Sequence, residues 1–95
     1  MAKFRDLIDR DVPVLLSFYS SKGPVHTQEI AQLEEVASAL GKMVSVIRID
    51  VEKNLELAAE LEIKSVPTFL IYRNGQLVWR HTGGQEASGL ITLLQ

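Results

Sequence analysis

Apolar residues are spaced along the first half of the chain in a way that predicts helix, strand and helix. The first helix is short and carries its apolar face on Phe4, Leu7 and Ile8. A near-continuous apolar run over residues 12–19 (VPVLLSFY) is typical of a strand buried on both faces. From residue 24 to residue 40 apolar residues recur at helical spacing, and Gly41 is suited to end that helix.

The second half predicts a strand, a short helix, a hairpin and a final helix. The strand covers residues 44–49 (VSVIRI), and Asn54 is suited to cap the helix that follows. Two β-rich arms, Thr68–Arg73 and Gln76–His81, flank Asn74-Gly75, which is the strongest short-range hairpin signal. The last helix has its apolar face on Ala87, Leu90, Ile91 and Leu94.

The order of these elements is α-β-α-β-α-β-β-α. Each β-α-β link favours a right-handed crossover between parallel strands, whereas the hairpin adds an antiparallel strand. We therefore predict an α/β fold in which a mixed four-stranded sheet carries helices on both faces. No linker or repeat interrupts the pattern, so residues 1–95 are predicted to form a single domain.

Composition and charge exclude several classes of function. The chain is 46% hydrophobic and 23% charged, as in ordinary globular proteins. Its net charge is −2 and its Lys and Arg residues are scattered, so it lacks the concentrated positive charge that would attract nucleic acid. The longest apolar run is about a strand long, too short to cross a membrane. The first residues, MAKFRDLIDRD, do not resemble a secretory signal, and we predict a cytoplasmic location.

The chain contains no cysteine. Disulfide bonds, thiolate metal sites and cysteine nucleophiles are therefore excluded within it. His26 and His81 lie far apart in sequence and have no evident third ligand. We predict neither a metal nor a cofactor.

Residues at the turns and loops between the elements resemble those of a known family. The second half, residues 50–84, includes Val-Pro-Thr at 66–68, Asn-Gly at 74–75 and a glycine at 83. In the first half, PVLLSFY precedes a Gly-Pro pair and a helix with LEEVA at 33–37. In this combination and order the chain resembles the thioredoxin family over almost its whole length. The resemblance implies the thioredoxin-like fold, with a cis bond before Pro67.

The same resemblance implies that the turn after the first strand corresponds to the family's active site. In thioredoxins this turn reads Trp-Cys-Gly-Pro-Cys. Aligned on Gly23-Pro24, Lys22 stands at the nucleophile's position and Val25 at that of the resolving cysteine, and the loop is one residue shorter. Neither side chain can enter thiol–disulfide exchange, which requires a thiolate.

The proton relay that the resemblance implies is missing as well. The family's buried acid, near the end of the first core strand, is replaced by Leu16 and Ser17, and a lysine of the neighbouring strand by Val46. We therefore expect no buried carboxylate behind the turn and no redox activity.

Two functions remain open for such a chain. Family members hold extended peptides between the Gly-Pro turn and the proline loop, largely through backbone groups. The matching residues are Gly23, Pro24, Val66, Pro67 and Thr68. A protein- or peptide-binding or scaffold module is the function we favour, although the groove can also be vestigial.

The alternative is an enzyme of another class. Lys22 lies near a helix N-terminus, where the helix dipole favours the neutral amine that Schiff-base chemistry needs, and His26 would act as a base. No acid, base or cofactor motif accompanies them.

One edge of the predicted sheet is expected to be uncovered. Many thioredoxins begin with an additional strand that pairs beside the strand equivalent to Val44–Ile49, and this chain starts with a helix. An apolar, β-branched edge with a single charge favours pairing with another strand. A homodimer through Val44–Ile49 is one expected result.

Overall fold

The helices and strands follow one another in the predicted order in the computed structural model, which describes residues 4–23 and 27–95. The elements are α1 (Phe4–Ile8), β1 (Val14–Tyr19), α2 (Thr27–Leu40), β2 (Ser45–Asp50), α3 (Leu55–Glu60), β3 (Thr68–Arg73), β4 (Gln76–Thr82) and α4 (Ala87–Leu94). Short 3₁₀ helices, Gly41–Met43 and Val51–Lys53, flank β2. The predicted boundaries differ from these by only one or two residues at the strand ends.

The four strands form a mixed sheet in the order β2-β1-β3-β4. β1 runs parallel to β2 and antiparallel to β3, so that Val14 is opposite Ser45 on one side and Tyr72 on the other. β3 and β4 form the antiparallel hairpin. The mixed sheet and the position of β2 at its edge are both confirmed.

Two apolar cores lie on opposite faces of the sheet, because successive side chains of a strand point to opposite faces. One core packs against α2 and α4 and consists of Leu15, Leu33, Val36, Leu40, Val44, Phe69, Ile71, Ala87, Leu90 and Leu94. The other packs against α1 and α3 and consists of Ile8, Val14, Leu16, Phe18, Ile49, Leu70 and Tyr72. Helices on both faces are thereby confirmed, and β1 is almost wholly buried because it contributes to both cores.

The hairpin turns at Asn74-Gly75, as predicted. Both residues have positive φ, 53° for Asn74 and 78° for Gly75. Turns of this kind match the twist of the strands they join, and asparagine and glycine are the residues that adopt them most readily. No helix among residues 4–23 and 27–95 is long and apolar enough to cross a membrane.

Candidate functional site

The turn after β1 begins the site. The N–H of Gly23 donates to the carbonyl oxygen of Ser20 at 3.4 Å, and the N–H of Lys22 donates to Ser20 Oγ at 3.2 Å. The Lys22 side chain is 81% exposed. Three residues of interest lie outside the described part of the chain: Pro24, Val25 and His26.

Polar contacts hold this turn against the segment that follows β2. Ser20 Oγ donates to Glu52 Oε2 at 2.9 Å, and the N–H of Ser21 donates to Asp50 Oδ1 at 3.2 Å. Lys22 Nζ lies 3.8 Å from Glu52 Oε1. The pKa of Asp50 lies below its ordinary value, because the Ser21 side chain beside it and the backbone N–H groups of Glu52 and Ser21 favour the ionised carboxylate. Residues 20–22 are thus held against this segment by two hydrogen bonds and one ion pair.

The exposure of Lys22 bears on the enzyme alternative. A lysine that forms Schiff bases is activated by an apolar pocket or by a second cation nearby. The Lys22 side chain faces solvent instead of lying in an apolar pocket, and its ammonium lies 3.8 Å from the carboxylate of Glu52. The geometry therefore does not favour a catalytic lysine here.

The loop before β3 forms the second part of the site. The Val66–Pro67 peptide bond is cis, as the resemblance implied. The Pro67 carbonyl oxygen accepts from the N–H of Gly83 at 2.8 Å. Thr68 is fully buried, and its hydroxyl donates to the Ser65 carbonyl oxygen at 2.6 Å, so its side chain is held within the fold. Among the described residues, neither the N–H nor the C=O of Val66 has a hydrogen-bond partner.

A groove of about 530 Å³ runs beside Pro67, a volume typical of small ligand sites. It separates the start of α2 from the loop that leads into α4. The described residues that line it are Thr27, Gln28, Glu29, Gln32, Pro67, Gly84, Gln85 and Glu86. Of the residues predicted for peptide binding, Pro67 lines this groove, Val66 precedes it and Gly23 lies on the neighbouring turn.

A buried carboxylate forms the floor of the groove. Glu29, in the first turn of α2, is only 3% exposed. Ser17 Oγ donates to Glu29 Oε2 at 2.5 Å, and Arg48 donates from Nη2 to Oε1 at 3.0 Å and from Nε to Oε2 at 3.3 Å. The Arg48 guanidinium also lies 3.9 Å from the centre of the Tyr19 ring. We call Ser17, Glu29 and Arg48 the polar triad.

Our expectation that no buried carboxylate stands behind the turn was wrong. The strand lacks an acid, as its sequence shows, but the helix supplies one that accepts a hydrogen bond from the strand. A signal for this was present, because Glu29, Leu33, Val36 and Leu40 follow one another at helical spacing and all are buried. An acid on the apolar stripe of a helix indicates a buried partner, and Arg48 is that partner.

The described part of the chain contains no cluster of metal-binding side chains. Within residues 4–23 and 27–95, no group of three His, Cys, Asp or Glu side chains could hold one. His81 instead stacks on Trp79, with 5.8 Å between ring centroids, and its Nε2 lies 3.3 Å from the Gly84 carbonyl oxygen.

Comparison with known proteins decides the family. The thioredoxin family profile matches residues 1–95. The chain belongs to the thioredoxin family. It is 38% identical over 84 residues to a thioredoxin-like protein of Synechocystis, covering 87% of this chain and 79% of that protein. It is also 33% identical over 96 residues to the chloroplastic thioredoxin Y of Oryza sativa, covering 99% of this chain but 56% of that protein.

Solved structures agree on the fold. The oxidized mitochondrial thioredoxin 3 of Saccharomyces cerevisiae superposes with a TM-score of 0.82 at 24% identity, covering 96% of this chain and 84% of that one. This member of the thioredoxin family thus has the family's α/β architecture and no cysteine at its turn or elsewhere in its 95 residues. The chain covers only 56% of the length of the rice relative.

Proposed function

We propose that this thioredoxin-fold chain is a non-redox module that binds an extended segment of a protein or peptide. The observation that carries the proposal is that the N–H and the C=O of Val66, the residue before Pro67 of the groove, have no hydrogen-bond partner among the described residues. An extended peptide that runs along this loop would pair with the N–H and C=O of Val66 as an added strand pairs with a sheet edge. Such pairing needs no reactive side chain.

Hydrogen bonds that hold the segments around the groove support binding. On the neighbouring turn Ser20 and Ser21 donate to Glu52 and Asp50, and on the groove itself the Pro67 carbonyl oxygen accepts from the N–H of Gly83. A site that is already ordered loses less conformational entropy when it binds a ligand. Hydrogen bonds that already order these segments therefore favour binding.

The absence of cysteine supports a non-redox role. Thiol–disulfide exchange requires a thiolate to attack a sulfur atom, and this chain contains no thiol. In an assay that follows reduction of a protein disulfide by a small dithiol, the purified chain should not raise the rate above that of the dithiol alone. Turnover by an uncontaminated sample would contradict this part of the proposal. A cytoplasmic location stays a prediction.

Binding is tested with peptides selected from a random display library against the purified chain. Gly84→Leu places bulk at the mouth of the groove, where an added Cβ meets nothing within 4 Å. Ala39→Leu adds an aliphatic side chain at an exposed position of α2 and serves as the matched control. The selected peptides should bind the wild type and Ala39→Leu alike and Gly84→Leu at least tenfold more weakly. Equal binding to all three, or no selected peptide, would overturn the proposal.

The same peptides separate binding from the enzyme alternative. Lys22 is exposed and its ammonium contacts Glu52 rather than the groove. Lys22→Ala should therefore leave peptide affinity unchanged within about twofold, as expected for an exposed ion pair of small energy. A loss of more than tenfold would place Lys22 in the function.

A further inference from the structure

We propose that the groove beside Pro67 selects peptides that place a lysine or arginine side chain against Glu86. This inference rests on the peptide-binding function proposed above and adds the chemical class of the ligand. It follows from the kinds of side chains that line the groove, from their charges and from the position of one glycine in α4.

The described residues that line the groove are mostly polar. Three glutamines contribute amide groups that both donate and accept: Gln28, Gln32 and Gln85. An apolar ligand would strip water from these amides without replacing their hydrogen bonds, which costs free energy. A ligand that itself carries hydrogen-bonding groups avoids that loss. The groove thus favours a polar peptide over an apolar one.

The charges of the lining are negative. Glu29 and Glu86 are the ionisable residues in the described part of the lining, which contains no lysine or arginine. The two carboxylates differ in their partners. Glu29 is buried and already paired with Arg48. Glu86 is exposed at the N-cap of α4, makes no capping bond there and has no ion pair among the described residues. Among the described lining residues, Glu86 is therefore the carboxylate that has no cationic side chain as a partner.

The helix that Glu86 precedes shapes the groove next to it. Gly89 lies in the first turn of α4, and an added Cβ there would come 3.2 Å from Nε2 of Gln85. Because Gly89 has no side chain, the Gln85 amide can lie across this turn, close in sequence to Glu86. Gln85 also lines the groove, and its amide oxygen offers a second acceptor to a ligand that reaches Glu86.

A charge reversal tests the inference. Three versions of a selected peptide are compared, with lysine, glutamine or glutamate at its basic position, on the wild type and on Glu86→Lys. The wild type should bind the lysine version about two- to fivefold more tightly than the glutamine version at low salt, the range of an exposed ion pair. The preference should shrink as salt is added. Glu86→Lys should prefer the glutamate version.

The matched control is Glu34→Lys, which makes the same change of charge at an exposed position of α2 that does not line the groove. It should keep the wild-type order of the three peptides. The inference is overturned if the selected peptides carry no basic residue, or if Glu86→Lys and Glu34→Lys rank the three versions identically. Peptides that bind and are blocked by Gly84→Leu without any preference for charge would refute this inference and leave the proposed function intact. Failure to select any peptide would overturn both.

Discussion

Replacing Glu29 by glutamine removes the negative charge of the polar triad while keeping the size of the side chain. The glutamine oxygen can still accept from Ser17, but it cannot form the charged pair with Arg48 that Glu29 makes at 3.0 Å and 3.3 Å. Breaking a fully buried ion pair typically costs about 3–5 kcal/mol, because one charge is left unpaired. The size of the effect in this chain depends on which charge remains.

Arg48 is the charge that remains, and its side chain is 34% exposed. Water can therefore reach part of the guanidinium, and the contact with Tyr19 at 3.9 Å is kept. We therefore expect Glu29→Gln to lower the free energy of unfolding by about 1–3 kcal/mol, less than for a fully buried pair. For a domain of this size the melting temperature should fall by roughly 5–20 °C.

The reverse substitution should be more harmful. Arg48→Met leaves Glu29 as a carboxylate that is only 3% exposed and is supported by Ser17 alone. Since Glu29 cannot reach water as Arg48 can, this variant should be less stable than Glu29→Gln. The double variant Glu29→Leu with Arg48→Met removes both charges and should be more stable than Arg48→Met alone.

Urea unfolding followed by circular dichroism measures these differences, and Glu34→Gln is the control. Glu34 is an exposed acid on the same helix, so its replacement should change the free energy of unfolding by less than about 0.5 kcal/mol. If Glu29→Gln is no less stable than Glu34→Gln, or if Arg48→Met is the milder of the two charge removals, the reasoning about the polar triad fails.

Three other features lead to predictions. Because the pKa of Asp50 is lowered in the folded state, its contribution to stability is present above about pH 3.9 and is lost as the pH falls through the lower, folded-state pKa. Asp50→Asn should therefore be less stable than the wild type at pH 7, with a smaller difference at pH 3 in urea unfolding; a gap that widens in acid would contradict this. Gly89→Ala should raise the free energy of unfolding by about 0.5–1 kcal/mol, because alanine favours the helix and the flexible end of Gln85 can shift by a few tenths of an ångström; a lower melting temperature would show that Gln85 cannot move. We also expect the protein to self-associate at high concentration through its edge strand β2, measured by sedimentation equilibrium, and Val46→Pro to reduce this by removing an N–H on the side of the strand that faces away from β1; a wild type that stays monomeric would refute the pairing.

Much of the fold could be predicted because the local pattern of apolar and turn-forming residues agrees with how the chain packs. The run VLLSFY is apolar without alternation, and the structure buries it between two cores. The pair Asn74-Gly75 predicts its own turn, because its residues tolerate positive φ. The cis bond at Pro67 has no such local cause and came only from the resemblance. Asn54 stands at the predicted cap of α3, yet its side-chain amide donates to the Asp50 carbonyl oxygen instead of capping the helix.

The candidate site was harder to predict, because its parts meet only in the folded chain. Ser17, Glu29 and Arg48 come from a strand, a helix and a second strand, and no short motif contains two of them. Their meeting depends on the register that places Ser17 opposite Arg48 and on the helix turn that directs Glu29 inward. The groove was equally hard to predict, because its walls come from three separate parts of the chain: α2, the Pro67 loop and the segment before α4.

The position of β1 has a consequence for folding during synthesis. It is the first strand in the chain and yet lies inside the sheet, so that Val14 is opposite both Ser45 and Tyr72. Because β1 and β3 are far apart in sequence, their pairing requires the intervening chain to close into a loop before any contact between the strands stabilises the pair. When β1 and β2 have emerged from the ribosome but β3 has not, the side of β1 that pairs with β3 is still unpaired. The centre of this sheet therefore forms only after residue 72 has left the ribosome, and until then β1 is a strand that other chains can bind.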